Sequence, residues 1–302
     1  MNIYPKISII TPSFNQGQYL EKTIQSVISQ NYPNLEYIII DGGSTDNSVE
    51  IIKKYEKYLK YWVSESDNGQ SNAINKGLKH ATGDIINWLN SDDYLEPNAL
   101  QIIAKNFTNS HIEVLCGYAC LIYGEKTVKK QTSQQAKNFE KLIAVGHIMQ
   151  PATFFKKSIF DELTPLEESL HYMMDLFIWW KYLLKYGTDK IKYIDHLLVN
   201  VLMHKNAKSV EALHLFNADR ERLISSLFAS IGYNGICCHN KKNLLSYKIN
   251  VDFLPQQIDF YHLKYHLFKY DYQGKRQSLQ VWNLLKLILL LFKNPFFKKN
   301  KK

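Results

Sequence analysis

The chain has 302 residues and a formal net charge of +9, and 45% of its residues are hydrophobic, which suffices for one large core or two smaller ones. Eight basic residues and no acidic residue follow Gly274, so the remainder of the chain is close to neutral. This distribution argues against nucleic-acid binding, which would require basic residues spread over the fold itself. The four cysteines form no CxxC pair, and the N-terminal residues show no signal-peptide pattern, so we expect a reducing, cytoplasmic setting.

Short apolar runs alternate with helical patterns through the first hundred residues. Four runs predict strands at 6–11, 35–41, 61–64 and 84–89, and the patterns between them predict helices, one of which spans about 70–80. We expect Ser44, Thr45 or Asp46 to cap the second helix. This alternation predicts βαβ units, and therefore a mostly parallel, Rossmann-like sheet with helices on both faces.

Polar residues follow each of the four predicted strands. In a parallel sheet the ligand binds outside the carboxyl ends of the strands. Taken singly, each stretch is also explained by helix caps and tight turns, but four in succession favour a binding site. The stretches are Thr11-Pro12-Ser13, Asp41-Gly42-Gly43, Ser64-Glu65-Ser66-Asp67 and Asn90-Ser91-Asp92-Asp93.

The region after Phe107 departs from simple alternation. Its patterns predict strands at 114–124 and 191–204, a strand leading into a short helix at 150–162, and an apolar helix at 172–187. We expect a mixed extension of the same sheet. After Ser209 the spacing of apolar residues becomes helical.

The adjacent carboxylates of Asp92 and Asp93 repel one another unless a cation lies between them and a ligand. The glycine fingerprint of dinucleotide oxidoreductases is absent after the first strand, and a Walker A motif is absent as well. A divalent metal held by these carboxylates would neutralise a diphosphate in place of a glycine-rich cradle.

Three segments together resemble family 2 glycosyltransferases, the inverting enzymes of the GT-A fold. They are "ISIITPSFNQGQYLEKTIQSVISQNYPNLEYIIIDGGSTDNSVEIIKKY", "SDNGQSNAINKG" and "ATGDIINWLNSDD". The resemblance implies a nucleotide-sugar-binding half at 1–107 and an acceptor-binding, catalytic-base half at 108–209. A helical C-terminal region then occupies 210–302.

The resemblance assigns roles to single residues of the first half. Asp41 would bind the base edge, and Asn90 stands at the first position of the metal-binding D-x-D motif, where an Asp is usual. Mn²⁺ or Mg²⁺ would bind Asp92 or Asp93, and the sequence does not choose between them. The other expected nucleotide-sugar contacts are Thr11, Pro12, Ser13, Asn15, Asp67, Gln70, Ser91 and Asp92.

In the second half, the resemblance makes Asp175 the general base, with Met174 standing where the family has Glu. His204 would reach the metal and Lys208 the diphosphate, while Gln150 would face the acceptor. Without the resemblance, Asp175 would be interpreted as an acidic residue that the helix dipole stabilises at a helix N-terminus, and His204 would be interpreted as a surface residue.

The tail from Leu279 to Phe292 is apolar but only fourteen residues long and interrupted by Lys286, too short to cross a bilayer. Its flanking lysines favour an amphipathic helix on an anionic membrane surface. The alternative is a packing helix in the core or in a homodimer.

These observations predict a peripheral enzyme on the inner face of the cell membrane. It would transfer a sugar from a nucleotide-diphospho-sugar to a glycan or lipid-linked glycan acceptor, in cell-envelope, capsular or exopolysaccharide biosynthesis. Two alternatives stay open at this point: an inactive nucleotide-sugar-binding scaffold, suggested by Asn90 and Met174, and a nucleotidyltransferase on a similar fold.

Overall fold

The computed structural model describes residues 4–124, 126–133 and 147–204, together with residues 215, 216, 219, 222, 223 and 226. Within these residues one nine-stranded sheet organises the chain. The strands, numbered along the chain, are β1 (Ile7–Ser13), β2 (Leu35–Asp41), β3 (Tyr61–Ser64), β4 (Ile85–Trp88), β5 (Tyr94–Leu95), β6 (Val114–Tyr123), β7 (Lys126–Thr132), β8 (Thr153–Lys156) and β9 (Ile191–Leu202). Their order in the sheet is β3-β2-β1-β4-β8-β6-β9-β5, and β7 pairs with β6 outside this path. The result is a mixed α/β architecture of the predicted kind.

The first half of the sheet is parallel, as predicted. β1 lies between β2 and β4, β2 also pairs with β3, and all three pairings are parallel. The elements in order are β1 (Ile7–Ser13), α1 (Gly17–Ile28), β2 (Leu35–Asp41), α2 (Ser48–Tyr55), a 3-10 turn (Glu56–Tyr58), β3 (Tyr61–Ser64), α3 (Gln70–Leu78) and β4 (Ile85–Trp88).

The second half extends the same sheet with mixed pairing, which confirms the expected extension. β8 is antiparallel to both β4 and β6, whereas β9 is parallel to β6 and antiparallel to β5. The elements are β5 (Tyr94–Leu95), α4 (Ala99–Phe107), β6 (Val114–Tyr123), β7 (Lys126–Thr132), a 3-10 turn (Gln150–Ala152), β8 (Thr153–Lys156), α5 (Lys157–Asp161), α6 (Met174–Tyr186) and β9 (Ile191–Leu202).

Two apolar clusters cover the two faces of the sheet, because successive strand side chains point to opposite sides. Ile7 and Ile9 of β1 pack with α1, α2 and α4, whereas Ile10 packs with α3, α5 and α6. Trp179 and Trp180 of α6 are buried in the second cluster. The loops that carry the predicted site therefore extend from a sheet whose two faces are both packed against helices.

β1 runs two residues beyond the predicted strand, through Pro12 to Ser13. Proline has no N–H and is normally excluded from a central strand. β4 pairs only with Ile7 to Ile10, so at Pro12 the strand has a neighbour on the β2 side alone. The missing donor is therefore tolerated there.

α2 begins later than predicted, at Ser48, with Asn47 at the cap position. Asp46 still serves the helix start, because its Oδ1 accepts the Ser48 N–H at 3.0 Å. Its other oxygen accepts the Gly17 N–H at 2.9 Å, which joins the start of α1 to the same turn.

Lys208 and the tail from Leu279 to Phe292 lie outside the described residues, as does most of 210–302. The membrane contact, the homodimer and the role of Lys208 therefore stay predictions. In the part of the chain that is described, no helix is both long and apolar enough to cross a bilayer.

Gly83, in the turn from α3 to β4, lies directly against β1. A Cβ added there would meet the Ser8 nitrogen at 2.7 Å and the Lys6 carbonyl oxygen at 2.9 Å. Because both contacts are backbone atoms, we expect Gly83→Ala to lower the free energy of unfolding by about 1–3 kcal/mol. Urea denaturation measures this. Lys79→Ala, at an exposed position nearby, should change it by less than about 0.5 kcal/mol; equal effects of the two would contradict the close packing.

Candidate functional site

Three parallel strands end side by side. Ser13, Asp41 and Ser64 are partners in the register of β1, β2 and β3, so their side chains meet at one edge of the sheet. This is the edge at which parallel α/β sheets bind ligands. The predicted convergence of polar groups is present in the structure.

Asp41 is a framework group of this edge. Its Oδ1 accepts the Ser44 hydroxyl at 2.5 Å, and its Oδ2 accepts the Ser64 hydroxyl at 2.7 Å. Oδ2 also accepts the backbone N–H groups of Ser44 at 2.9 Å and Gly43 at 3.2 Å. The side chain is fully buried. Because Oδ2 already accepts three hydrogen bonds, a base edge would have to meet Oδ1, which accepts one described hydrogen bond, and the contact that the resemblance implies stays a prediction.

The three residues at the end of β1 differ in what they offer. Thr11 is buried, and its hydroxyl lies 3.1 Å from that of Tyr37, so it belongs to the core. Pro12 is buried as well. Ser13 is only 4% exposed, and its Oγ has no hydrogen-bond partner among the described residues. A buried, unsatisfied hydroxyl at the ligand edge is a group that a bound molecule can satisfy.

Phe14 is a further candidate site residue, which the sequence patterns did not single out. Its ring is 59% exposed, directly after Ser13. The next residue, Asn15, adopts a φ of +51° and accepts the Thr45 N–H at 2.8 Å, which ties this loop to the one after β2. A large aromatic residue immediately after a strand at the ligand edge is the pattern that could have identified Phe14.

Asp67 approaches the end of β2 through the space left by Gly42. A Cβ on Gly42 would lie 2.8 Å from Asp67 Oδ2. Asp67 Oδ1 accepts the Gly69 N–H at 2.7 Å, and Gly69 has a φ of +103° that favours glycine. Asp67, unlike Asp41, keeps part of its surface open to solvent.

Gln70 and Asn90 meet, as expected of residues in one site. Gln70, at the start of α3, donates its amide N–H to Asn90 Oδ1 at 2.8 Å. Asn90 in turn donates to Asp93 Oδ2 at 3.1 Å. An Asp at position 90 could not make this donation, so the departure from the D-x-D pattern has a structural use.

Asp92 and Asp93 point to different partners. Asp92 Oδ2 lies 2.9 Å from His204 Nε2, and their side chains are 20% and 14% exposed. Asp93 is 2% exposed, and its carboxylate accepts hydrogen bonds from Asn90 and from the Leu202 backbone. Burial, together with the neighbouring charge of Asp92, raises the pKa of Asp93 well above the usual range of an aspartate. Asp92 is therefore the carboxylate that a ligand or metal can reach.

α1 supports the backbone of residues 90–93, the acidic turn. Thr23 is buried, and its Oγ1 lies 2.9 Å from the carbonyl oxygen of Ser91 and 2.7 Å from that of Asp93. One turn later, the Ser26 hydroxyl accepts the Leu95 N–H at 3.0 Å. The helix thus binds the backbone of the turn on both sides of Asp92.

The donor set at Asp92 and His204 suits a divalent cation. Two donor atoms 2.9 Å apart are close enough to bind one ion; carboxylates suit Mn²⁺ and Mg²⁺, and imidazole is a ligand of divalent transition metals. In the described part of the chain, no group of three or more His, Cys, Asp or Glu residues could hold a metal. A metal here would need further oxygens from the diphosphate and water, which is usual for Mg²⁺ and related ions.

Asp175 lies in the first turn of α6, where the sequence placed it. Burial raises the pKa of Asp175 to about 6, although the side chain keeps some accessible surface and its Oδ1 accepts the Leu176 N–H at 2.7 Å. A carboxyl with this pKa is deprotonated near neutrality and basic enough to accept a proton. Met174 is buried at 6% exposure and packs in the core.

The loop before Asp175 is fastened to α3. Asn75 donates to the Leu166 carbonyl oxygen at 3.0 Å, and both Asn72 and Asn75 donate to Glu168, at 3.0 and 2.9 Å. The Ser71 hydroxyl lies 3.3 Å from the Leu170 carbonyl oxygen. Because Gln70 begins the same helix, α3 connects the acidic turn to the segment that carries Asp175.

Gln150 supports the sheet instead of presenting a free amide. It is 3% exposed and donates to Asn87 Oδ1 at 2.7 Å and to the Trp88 carbonyl oxygen at 2.8 Å. Its expected contact with an acceptor would have to come from its backbone or from neighbouring residues.

Comparison with known proteins identifies the family. Residues 8–164, just over half of the chain, match the family described as Glycosyl transferase family 2. The chain belongs to this family. An uncharacterized glycosyltransferase of Rickettsia typhi is 29% identical to this glycosyltransferase, over 70% of the chain and 68% of the relative. The putative teichuronic acid biosynthesis glycosyltransferase TuaG of Bacillus subtilis is 38% identical, over 33% of the chain and 41% of the relative.

Solved structures support the GT-A fold. TarS of S. aureus, residues 1–349, aligns with a TM-score of 0.60 at 19% identity, over 92% of this glycosyltransferase and 77% of TarS. The mannosyltransferase PcManGT of Pyrobaculum calidifontis, in complex with GDP-Man and Mn²⁺, aligns at 0.52 and 17% identity, over 98% and 83% of the two chains.

Thr23→Val tests how α1 supports the acidic turn of this glycosyltransferase. The substitution keeps the volume but leaves the carbonyl groups of Ser91 and Asp93 without their buried donor. We expect a loss of about 1–3 kcal/mol in the free energy of unfolding, measured by urea denaturation. Ser29→Ala, at an exposed position just after the same helix, is the control and should have little effect. A Thr23 variant as stable as the control would argue against this support.

Proposed function

We propose that this chain is an inverting, metal-dependent glycosyltransferase that moves a sugar from a nucleotide-diphospho-sugar to a glycan or lipid-linked glycan. The observation that carries the proposal is the pairing of Asp92 with His204 at the ligand edge of the sheet. The similarity to TuaG, and to TarS, which was crystallised with UDP-GlcNAc, supports a role in cell-envelope polysaccharide biosynthesis.

The donor's nucleoside would occupy the ends of β1 to β3. The exposed ring of Phe14 offers a face on which a base can stack, and Ser13 Oγ is available to a ribose or base oxygen. Asp67 supplies a partly exposed carboxylate beside them, and Gln70 and Asn90 supply amide groups nearer the acidic turn.

Asp92 and His204 would hold the cation. When bound, a divalent metal neutralises the diphosphate and stabilises it as the leaving group. Asp93 would stabilise the turn from within, because its carboxylate is already bound by Asn90 and by the backbone. Lys208, four residues after His204, is expected to contribute positive charge to the same end of the donor.

Asp175 would act as the general base. It takes the proton of the acceptor hydroxyl while that oxygen attacks the anomeric carbon on the side opposite the diphosphate. The bond between the anomeric carbon and the phosphate oxygen breaks, and the nucleoside diphosphate leaves. One displacement of this kind inverts the anomeric configuration.

The structure favours this enzyme over an inactive scaffold. Asn90 is the residue that suggested lost activity, yet its amide bridges Gln70 and Asp93, a role that needs a donor and an acceptor on one side chain. Met174, which stands in the place of the family's Glu, packs in the core beside Asp175.

Asp175→Asn tests the reaction. The amide cannot accept the proton, so we expect sugar transfer to fall about 10²- to 10⁴-fold. The measurement is nucleoside diphosphate release from a panel of UDP- and GDP-sugars, with and without Mn²⁺, in the presence of glycan acceptors. Donor binding, followed by thermal shift, should be retained. Unchanged turnover in the variant would reject Asp175 as the base, and binding without turnover by the wild type would favour the scaffold.

The pH profile of the wild type gives an independent test. Asp175 acts as a base only when deprotonated, and its pKa is raised to about 6. We therefore expect the turnover rate to fall as the pH drops through about 6 and to level off above about 7. The residual turnover of Asp175→Asn should not fall in this way below a pH of about 6. If the variant shows the same decrease, a group other than Asp175 is responsible for it.

Phe14→Ala tests the base-binding position. Stacking of a base on an aromatic ring contributes about 1–3 kcal/mol, so KM for the donor should rise about tenfold or more. Phe14→Tyr keeps the ring and should stay within about twofold of the wild type. A KM unchanged by Phe14→Ala would place the base elsewhere.

A further inference from the structure

Tyr19 of α1 lies against the ring of His204. Their ring centroids are 4.5 Å apart and the ring planes are inclined by 27°, so the two side chains are stacked. We propose that Tyr19 is a positioning residue, which holds the His204 imidazole with Nε2 directed at the cation site beside Asp92. This inference rests on the proposed function, because it assumes that Asp92 and His204 bind the metal.

The position of His204 needs such a support. Histidines that bind metals usually donate their second ring nitrogen to a carboxylate or carbonyl group, which fixes the orientation of the ring. His204 Nδ1 is buried and has no hydrogen-bond partner within the described ranges. Among the described residues, the last backbone hydrogen bond of this segment is the one that Met203 N–H donates to the Ile122 carbonyl oxygen at 2.8 Å. Apart from the contact of Nε2 with Asp92, the stack on Tyr19 is therefore the described side-chain contact that restricts rotation of the ring.

Tyr19 is well placed for this role because the same face of α1 holds Asp92. Tyr19, Lys22, Thr23 and Ser26 lie three, four and seven positions apart, which is one side of a helix. Thr23 and Ser26 bind the backbone of the acidic turn, and the Lys22 ammonium lies 3.5 Å from the ring centroid of Tyr94. A single helix face thus fixes both donor atoms of the metal site, Asp92 through its backbone and His204 through its ring.

The expected consequence is a loss of metal affinity without loss of the fold. Replacing a residue that orients a metal ligand typically costs 10- to 100-fold in affinity. We expect Tyr19→Leu to weaken Mn²⁺ binding to the full chain about tenfold, measured as free Mn²⁺ by electron paramagnetic resonance. Tyr19→Phe preserves the stack and should bind Mn²⁺ within about twofold of the wild type.

Two further variants keep this test decisive. Gln18→Ala changes the neighbouring, exposed position of α1 and should leave Mn²⁺ binding unaltered. If circular dichroism shows that Tyr19→Leu does not fold, Tyr19→Met, which fills a similar volume with a flexible chain, should fold and show the same loss. A folded Leu or Met variant with wild-type affinity would overturn the positioning role.

A double-mutant cycle separates positioning from a general structural effect. In a His204→Gln background the stack has no metal ligand to orient, so Tyr19→Leu should cause no further loss of Mn²⁺ affinity. The same tenfold loss in both backgrounds would overturn the inference. If the wild type binds Mn²⁺, Asp92→Asn does not bind it and Tyr19→Leu binds it as tightly as the wild type, only the positioning role is rejected. A wild type that binds no Mn²⁺ would reject the metal site and the positioning role together.

Discussion

The structure depends on keeping two adjacent carboxylates apart at the end of a buried strand. Asp92 turns outward to His204, while Asp93 turns inward to Asn90 and the Leu202 backbone. Because Asp93 turns inward, burial and the charge of Asp92 raise its pKa, whereas the outward-facing Asp92 keeps accessible surface. Thr23 contacts the carbonyl oxygens of Ser91 and Asp93, one on each side of Asp92, so α1 supports the turn in this arrangement.

The same separation of roles recurs along the ligand edge. Asp41 and Asp93 are buried, and their carboxylates accept hydrogen bonds from the loops around them. Asp67, Asp92 and Asp175 keep accessible surface and are the carboxylates that a substrate or metal can meet. A parallel sheet makes this arrangement possible, because its strands deliver several loops to one edge while helices on both faces keep their bases fixed.

Much of this architecture could be predicted from the sequence, because apolar runs and helical spacing are local properties. The bounds of β3, the parallel pairing of β1 to β4 and the position of Asp175 at the start of α6 all follow from such patterns. The orientation of Asp92 and Asp93 does not, since it is decided by Leu202 and His204, about 110 residues later in the chain. The donor contacts of Thr11 and Asp41 stay predictions, because a strand end fixes the position of a side chain but not its hydrogen-bond partners. β7 was missed because the strand pattern was ended at Gly124, which forms the turn of a hairpin.

The Asp67 side chain fills the space that a side chain at position 42 would need. A Cβ at position 42 would lie 2.8 Å from Asp67 Oδ2, so any other residue there would require the Asp67 carboxylate to move. The two positions are therefore coupled, although one follows β2 and the other lies in the loop after β3. An acidic residue at position 42 would displace the Asp67 carboxylate, so a substitution at position 42 is best combined with a change at position 67.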